Sequence, residues 1–251
     1  MEILGIIPAR YGSSRLEGKP LKDIEGKTMI QRVYERALQA LDQVVVATYD
    51  QRIYDEVLRF GGEVLMTGKH NTGTNRCLEA MEKWISGGKG QPDIVINIQG
   101  DEPLLAPEQI QDICRCFENK NVEMASLVIP VKNAEELQEN TGVFAVLDHN
   151  NDALYFSRSV IPFVRDSEKE DWVNRHQFYR HVGMYAFTQN AIREFSNLSQ
   201  SSLELAESLE QNRWLENGGK IRLGITEIPT LAVDTEEDLE KVRSILKNQN
   251  Q

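Results

Sequence analysis

The chain has 251 residues, 40% of them hydrophobic and 27% charged, with 28 basic against 39 acidic side chains and a formal net charge of -11. Such a length suits one large α/β domain, or a core domain with a small appendage, around a sizeable core. The acidic surface argues against duplex or anionic-membrane binding, so an anion site must rest on local cations, a metal ion or backbone amides. Cys77, Cys114 and Cys116 form no C-x-x-C pair and no metal-ligand spacing, and they read as thiols in a reducing cytoplasm. No apolar run approaches the roughly 18 residues of a membrane span. The opening "MEILGIIPAR" carries an acid where a signal peptide carries cations, so a soluble cytoplasmic protein is expected.

The first apolar run, Ile3 to Pro8, is short and β-branched and reads as a buried strand. "TMIQRVYERALQAL" follows, with Ile30, Val33, Ala37, Leu38 and Leu41 at helical spacing. "QVVVATYD" is the second strand, residues 51 to 60 the second helix, "EVLMT" the third strand and residues 74 to 85 another helix. "DIVINIQGDEP" reads as a central strand, apolar on both faces. This alternation predicts an α/β fold with a doubly wound, mostly parallel sheet, whose ligands bind at the carboxyl ends of the strands. From about 122 to 190 the rhythm breaks into "MASLVIPV", "VFAVLD", "ALYFSRSVIPF" and "HVGMYAF". An inserted antiparallel section within a single domain of residues 1 to 251 is expected there, with 166 to 177 as a surface loop.

The stretch "IIPARYGSSRLEGKPL", residues 6 to 21, gathers Arg10, Arg15 and Lys19 at a strand's carboxyl end. It is not a P-loop: five residues separate Gly12 from Gly18 where four are needed, and Pro20 stands where Ser or Thr would meet magnesium. An exposed basic loop is the alternative reading. The wording resembles the opening of the sugar-nucleotide cytidylyl- and nucleotidyltransferases. "NIQGDEPLL", "ALYFSRSVIPF", "RHVGMYAF", "LELAESLEQNRWLENG" and "VDTEEDLEKV" then follow in the order seen in the 3-deoxy-manno-octulosonate cytidylyltransferases. That resemblance spans essentially the whole chain. It implies transfer of CMP from CTP to the anomeric hydroxyl of 3-deoxy-D-manno-octulosonate (Kdo), with release of pyrophosphate and Mg2+ as cofactor. It also implies a homodimer in lipopolysaccharide biosynthesis.

Nucleotidyl transfer needs positioning and charge neutralisation more than covalent help from the protein. Asp101, in the loop after "IVINI", and Asp234, just before the capping sequence "TEED", are the candidate magnesium ligands. By spacing alone, Asp101 reads equally as a turn former and Asp234 as a helix-terminus charge at a strand-to-helix junction. The resemblance favours metal binding for both. It also gives Arg10, Arg15 and Lys19 to the triphosphate, with Ala9 and the "NTGTNR" residues Thr72, Gly73 and Thr74 completing the nucleotide site. Lys19, Arg10, Asp101 and Asp234 are then the catalytic set. Thr74 also reads as an ordinary helix N-cap.

For the sugar acid, period-2 alternation puts His181, Gly183 and Tyr185 on one strand face. Glu207, Glu210 and Gln211 fall at i, i+3 and i+4 of a helix, opposite Leu205 and Leu209. A satisfied core histidine and a solvated helix face are the competing readings, and the motif match favours sugar contact. Arg158 suits the sugar carboxylate through its planar fork, and Gln99 suits hydroxyls. Four positions depart from the family pattern: Glu17, Tyr49, Asn75 and Phe144. Phe144 replaces a usual lysine, which is expected to weaken anion binding or alter the acceptor. A paralogue acting on an 8-amino octulosonate, a relative acting on sialic acid, and a non-catalytic sugar-nucleotide-binding protein are the alternatives.

Overall fold

The apolar run that opens the chain is strand β1, Ile3–Ala9, in a computed structural model that describes residues 1–12, 15–138 and 142–249. Helix α1 (Met29–Ala37) follows, then β2 (Gln43–Thr48), α2 (Gln51–Arg59), β3 (Val64–Met66), α3 (Gly73–Ser86) and β4 (Ile94–Asn97). The helices form where the apolar spacing is helical: Ile30, Val33 and Ala37 are fully buried along one face of α1. β1 pairs in parallel with β2 (Ile6 beside Val45) and with β4 (Gly5 beside Ile96), and β2 pairs in parallel with β3 (Ala47 beside Leu65). The order is therefore β4-β1-β2-β3, and Val44 to Ala47 are buried, as a sheet covered on both faces requires. Pro8 is tolerated in this central strand because the pairing with β4 ends at Ile6, before a proline nitrogen would be missed.

Residues 1–110 and 230–251 make one compact unit, and residues 111–229 a second. The second contains β5 (Met124–Pro130), β6 (Phe144–Leu147), β7 (Ala153–Ser157), β8 (Tyr179–Thr188), α4 (Gln189–Asn197), α5 (Ser202–Glu207), α6 (Gln211–Glu216) and β9 (Arg222–Ile225). β8 is antiparallel to β5 and β6, β6 is antiparallel to β7, and β9 is parallel to β5. The antiparallel strands expected over 122 to 190 are thus present. Helix α7 (Glu236–Gln249) returns the chain to the first unit, where Leu239, Val242 and Leu246 cluster with Leu16, Ile24, Met29 and Val233.

Three expectations change. Residues 166 to 177 are more than a surface loop: they hold two short helical turns, and Trp172 is buried among Val131, Leu137, Phe144 and Phe178. Phe144 is part of that apolar cluster and 1% exposed, so its replacement of a lysine fills a core position. The third concerns 204 to 214, where no single helix places Glu207, Glu210 and Gln211 on one face. Helix α5 stops at Glu207, Ser208 turns left-handed (φ 53), and α6 starts at Gln211. Leu205 is consequently exposed while Leu209 is buried. No helix among the described residues is long and apolar enough to cross a membrane. Burial pushes the Cys114 and Cys116 thiols up to about 11, which leaves them protonated and unreactive.

Candidate active site

The opening loop leaves β1 at Ala9 and ends on a short 3-10 turn, Lys19–Leu21, preceded by Gly18. Gly18 holds φ 67, which a side chain would resist, and its N–H donates to the Tyr11 carbonyl at 3.1 Å. This turn aims Lys19 inward. Its side chain is 15% exposed, and its ammonium donates to Asp101 Oδ2 at 2.7 Å and to Asp234 Oδ1 at 3.1 Å. Arg15 lies 3.0 Å from Asp234 Oδ2. Two carboxylates thus converge on one cation position.

Residues distant in sequence build this convergence. Asp101 follows β4 in a loop that passes close to β1: a Cβ on Gly100 would lie 3.3 Å from the Pro8 carbonyl oxygen. The Asp101 carbonyl accepts from the Val233 N–H at 2.9 Å, which sets Asp234 beside it. Asp234 follows irregular chain rather than the strand that the sequence suggests. A capping box starts α7 directly after it. Asp238 N donates to Thr235 Oγ1 at 3.2 Å, and Asp238 Oδ2 accepts from Thr235 N at 3.0 Å. Glu102 is buried next to Asp101. Burial first, and the Asp101 charge second, push its carboxyl up to about 8, so it stays protonated and adds no third negative charge.

A cleft of about 350 Å³ opens over this group, lined by Ala9, Arg10, Arg15, Lys19, Thr72, Gly73, Gln99, Asp101 and Asp234. Every nucleotide and metal candidate of the sequence therefore borders it except Thr74. That residue is fully buried inside α3, and the N-cap is Thr72, whose hydroxyl accepts from Asn75 N at 3.2 Å. The same cleft holds two residues that sequence reading passed over, His70 and Arg76. Arg76 is 3% exposed, donates to Thr67 Oγ1 at 2.6 Å and to the Gly68 carbonyl, and lies 4.9 Å from the centroid of the Tyr49 ring. The departure at Tyr49 thus gives a buried guanidinium an aromatic face. His70 Nε2 is 2.5 Å from Glu79. Burial raises the Glu79 carboxyl, but hydrogen bonds from Lys83, His70 and the Gly68 amide outweigh it and leave the group at about 2.

The sugar candidates other than Gln99, which lines the cleft above, lie in the second unit. Glu207 accepts from Ser157 Oγ at 2.6 Å, from Arg158 N at 2.9 Å and from Tyr155 OH at 3.2 Å. Burial raises its carboxyl, and these donors overcome that and lower it. Arg158 is exposed and donates from Nε to the Glu207 carbonyl at 2.7 Å, with a longer bond of 3.4 Å to the Ser208 carbonyl. Gln211 is 2% exposed, and its Nε2 is buried without a hydrogen-bond partner. Beneath the 208 turn, Arg213 and Glu204 form a buried two-pronged pair, Nε–Oε2 2.7 Å and Nη2–Oε1 2.5 Å.

His181 packs edge-on against Phe156 at 4.9 Å and contacts Tyr185 at 5.4 Å, although the β8 register shifts between Val182 and Tyr185. Its Nε2 is 2.7 Å from Ser126 Oγ, which itself donates to the Met184 carbonyl at 2.7 Å. A hydroxyl has one proton to give, so His181 Nε2 must carry the hydrogen of this pair. Burial pushes the imidazole down from 6.5 to about 3, and Tyr185 is raised well above 10 by burial and by Glu210. The unfolded chain therefore binds the extra proton between pH 6.5 and about 3, and stability falls as pH falls through that window. Urea unfolding should show the advantage of the wild type over His181→Gln shrinking from pH 7 to pH 4. A constant difference would reject the buried neutral imidazole.

The cytidylyltransferase family profile matches residues 4–221. The 3-deoxy-manno-octulosonate cytidylyltransferase of Parabacteroides distasonis is 50% identical over 99% of both chains, and that of Bacteroides thetaiotaomicron is 48% identical over 100% of both. A CMP:2-keto-3-deoxy-manno-octonic acid synthetase solved in complex with CTP superposes with a TM-score of 0.90 at 40% identity, covering 99% of this chain and 100% of that one. With full-length identity of this order, and a cation-rich cleft closed by two carboxylates, the chain belongs to the 3-deoxy-manno-octulosonate cytidylyltransferases.

Proposed function

We propose that this cytidylyltransferase, which forms CMP-Kdo from CTP and Kdo for lipopolysaccharide biosynthesis, holds the triphosphate of CTP on Arg10, Arg15 and Lys19. The observation that carries the reading is the convergence of Lys19, Asp101 and Asp234 on one point of the cleft. Ala9, Thr72 and Gly73 border the same cleft with backbone groups and a hydroxyl suited to the nucleotide. Among the described residues no group of three His, Cys, Asp or Glu side chains is placed to hold a metal. Two carboxylates, with phosphate and water oxygens filling the remaining positions, fit Mg2+, and Asp101 and Asp234 would hold it. When bound, magnesium neutralises charge on the phosphates. Lys19 adds a fixed ammonium where negative charge grows as the anomeric oxygen bonds to the α-phosphorus and the bond to the pyrophosphate oxygen breaks.

For the acceptor, Arg158 is assigned to the sugar carboxylate, and His181, Tyr185, Glu210 and Gln211 of the same unit to its hydroxyls. The orphaned Gln211 amide supports this, since a ligand oxygen would complete a buried donor that the protein leaves without a partner. Glu207, occupied by its three donors, holds the turn that presents Arg158. A homodimer belongs to the same reading. Phe163 and Leu154, 75% and 63% exposed, offer it apolar surface.

Pyrophosphate release with each nucleoside triphosphate against a panel of sugar acids tests the assignment. CTP with Kdo should be the active pair, with sialic acid slower by at least about 100-fold, because unpaired polar groups punish the wrong acceptor. Arg158→Ala should raise the Kdo KM by about tenfold or more while the CTP KM stays within about twofold, and Arg158→Lys should not restore it. A preference above tenfold for an 8-amino octulosonate would reassign the acceptor. Robust turnover of sialic acid would overturn the acceptor site.

A further inference from the structure

The opening loop is held from outside the cleft by a contact that phosphate chemistry alone does not require. The guanidinium carbon of Arg52, in the first turn of α2, lies 3.3 Å over the centroid of the Tyr11 ring. Asp50 fixes the plane of that guanidinium: Nε donates to Oδ1 at 2.9 Å and Nη2 to Oδ2 at 2.7 Å. The same Oδ1 accepts from the Arg52 backbone N–H at 3.0 Å, so the N-cap of α2 and the clamp on the guanidinium are one carboxylate. Tyr11 also abuts Gly18. The Gly18 N–H donates to the Tyr11 carbonyl, and a Cβ on Gly18 would lie 3.0 Å from the Tyr11 hydroxyl. The residue after Gly18 is Lys19.

Arg52 is 58% exposed, and an exposed ion pair between near neighbours contributes little to stability. What the arrangement does accomplish is mechanical. A rigid helix start is joined through a locked guanidinium and an aromatic face to the left-handed glycine that sets the direction of Lys19.

We propose that Arg52 and Tyr11 are positioning residues that fix the Lys19 ammonium, acting through the loop and touching neither substrate. The proposal rests on the reading of Lys19 as the phosphate ligand. Positioning errors of about an ångström are costly in rate while ground-state contacts survive them. Arg52→Ala should therefore lower kcat by about 5- to 20-fold with the CTP KM within about twofold. Tyr11→Leu, which removes the aromatic face, should do the same, while Tyr11→Phe, which keeps it, should restore kcat to within about twofold of wild type. Arg52→Lys should not rescue, since an ammonium cannot both chelate Asp50 and lie flat on a ring. Arg52→Ala combined with Tyr11→Leu should be no slower than either alone.

Steady-state kinetics with CTP varied, beside thermal denaturation of each variant, read all of this. Effects that multiply in the double variant, full rescue by Arg52→Lys, or a kcat loss that only tracks loss of folded protein would overturn the clamp. In a Lys19→Ala background, Arg52→Ala should leave the residual rate unchanged, and a further fall of the same size would also overturn it. Lys19→Ala with wild-type activity would instead remove the phosphate reading on which the clamp rests. A slow Lys19→Ala beside an unaffected Arg52→Ala would remove the clamp alone.

Discussion

Asp101→Ala and Asp234→Ala should each lower kcat/KM by about 100-fold or more while leaving the protein folded, and EDTA should silence the wild type. Each carboxylate faces the cleft at partial exposure, 30% for Asp101 and 38% for Asp234, so neither is part of the apolar core. Losing one leaves Lys19 paired to the other. That is why circular dichroism and the melting temperature should change little while turnover collapses. The isosteric Asp101→Asn and Asp234→Asn variants should be nearly as inactive, because shape is kept and only the charged hard-oxygen ligand is lost. Unchanged turnover in either position would remove it from the metal site.

Lys19→Ala should lower kcat by about 100- to 1,000-fold and raise the CTP KM far less, since the ammonium matters most where charge develops in the transition state. Removing it also leaves Asp101 without its cation beside Asp234, which keeps Arg15, so the variant should melt lower than wild type in the absence of metal. Lys69, exposed and outside the cleft lining, is the control: Lys69→Ala should change kcat by less than about twofold. An equal loss from both variants would point to general surface charge in place of a placed ammonium.

The strand and helix alternation over residues 3 to 97 was legible because its apolar periods are clean, and strand-end positions then located the cleft. Arg76 escaped although it stands inside the quoted "NTGTNR". An arginine within a helical pattern reads as solvated, and only the folded approach of Thr67, Gly68 and Tyr49 shows that it is buried. The break at Ser208 was equally hidden, since no glycine or proline marks that left-handed residue. Its place is set by tertiary bonds, with Arg158 holding the carbonyls of Glu207 and Ser208. Phe144 misled in the other direction: a lysine-to-phenylalanine difference reads as lost charge, yet the position is core. Trp172 was masked by polar neighbours, whose exposure says nothing about the single large ring among them.

The first unit is discontinuous, made of residues 1–110 and 230–251, and its second carboxylate comes from the returning segment. A ribosome delivers chain in order at about 5 to 20 residues per second, so Lys19 and Asp101 emerge well before Asp234. Until Val233 joins the Asp101 carbonyl and α7 packs against Leu16 and Met29, the cleft has cations and one carboxylate but no second one. If Asp234 holds magnesium as proposed, a chain stopped after residue 229 should keep Lys19 and Asp101 yet fail to turn over. On that reading, competence for catalysis waits for the docking of the last helix.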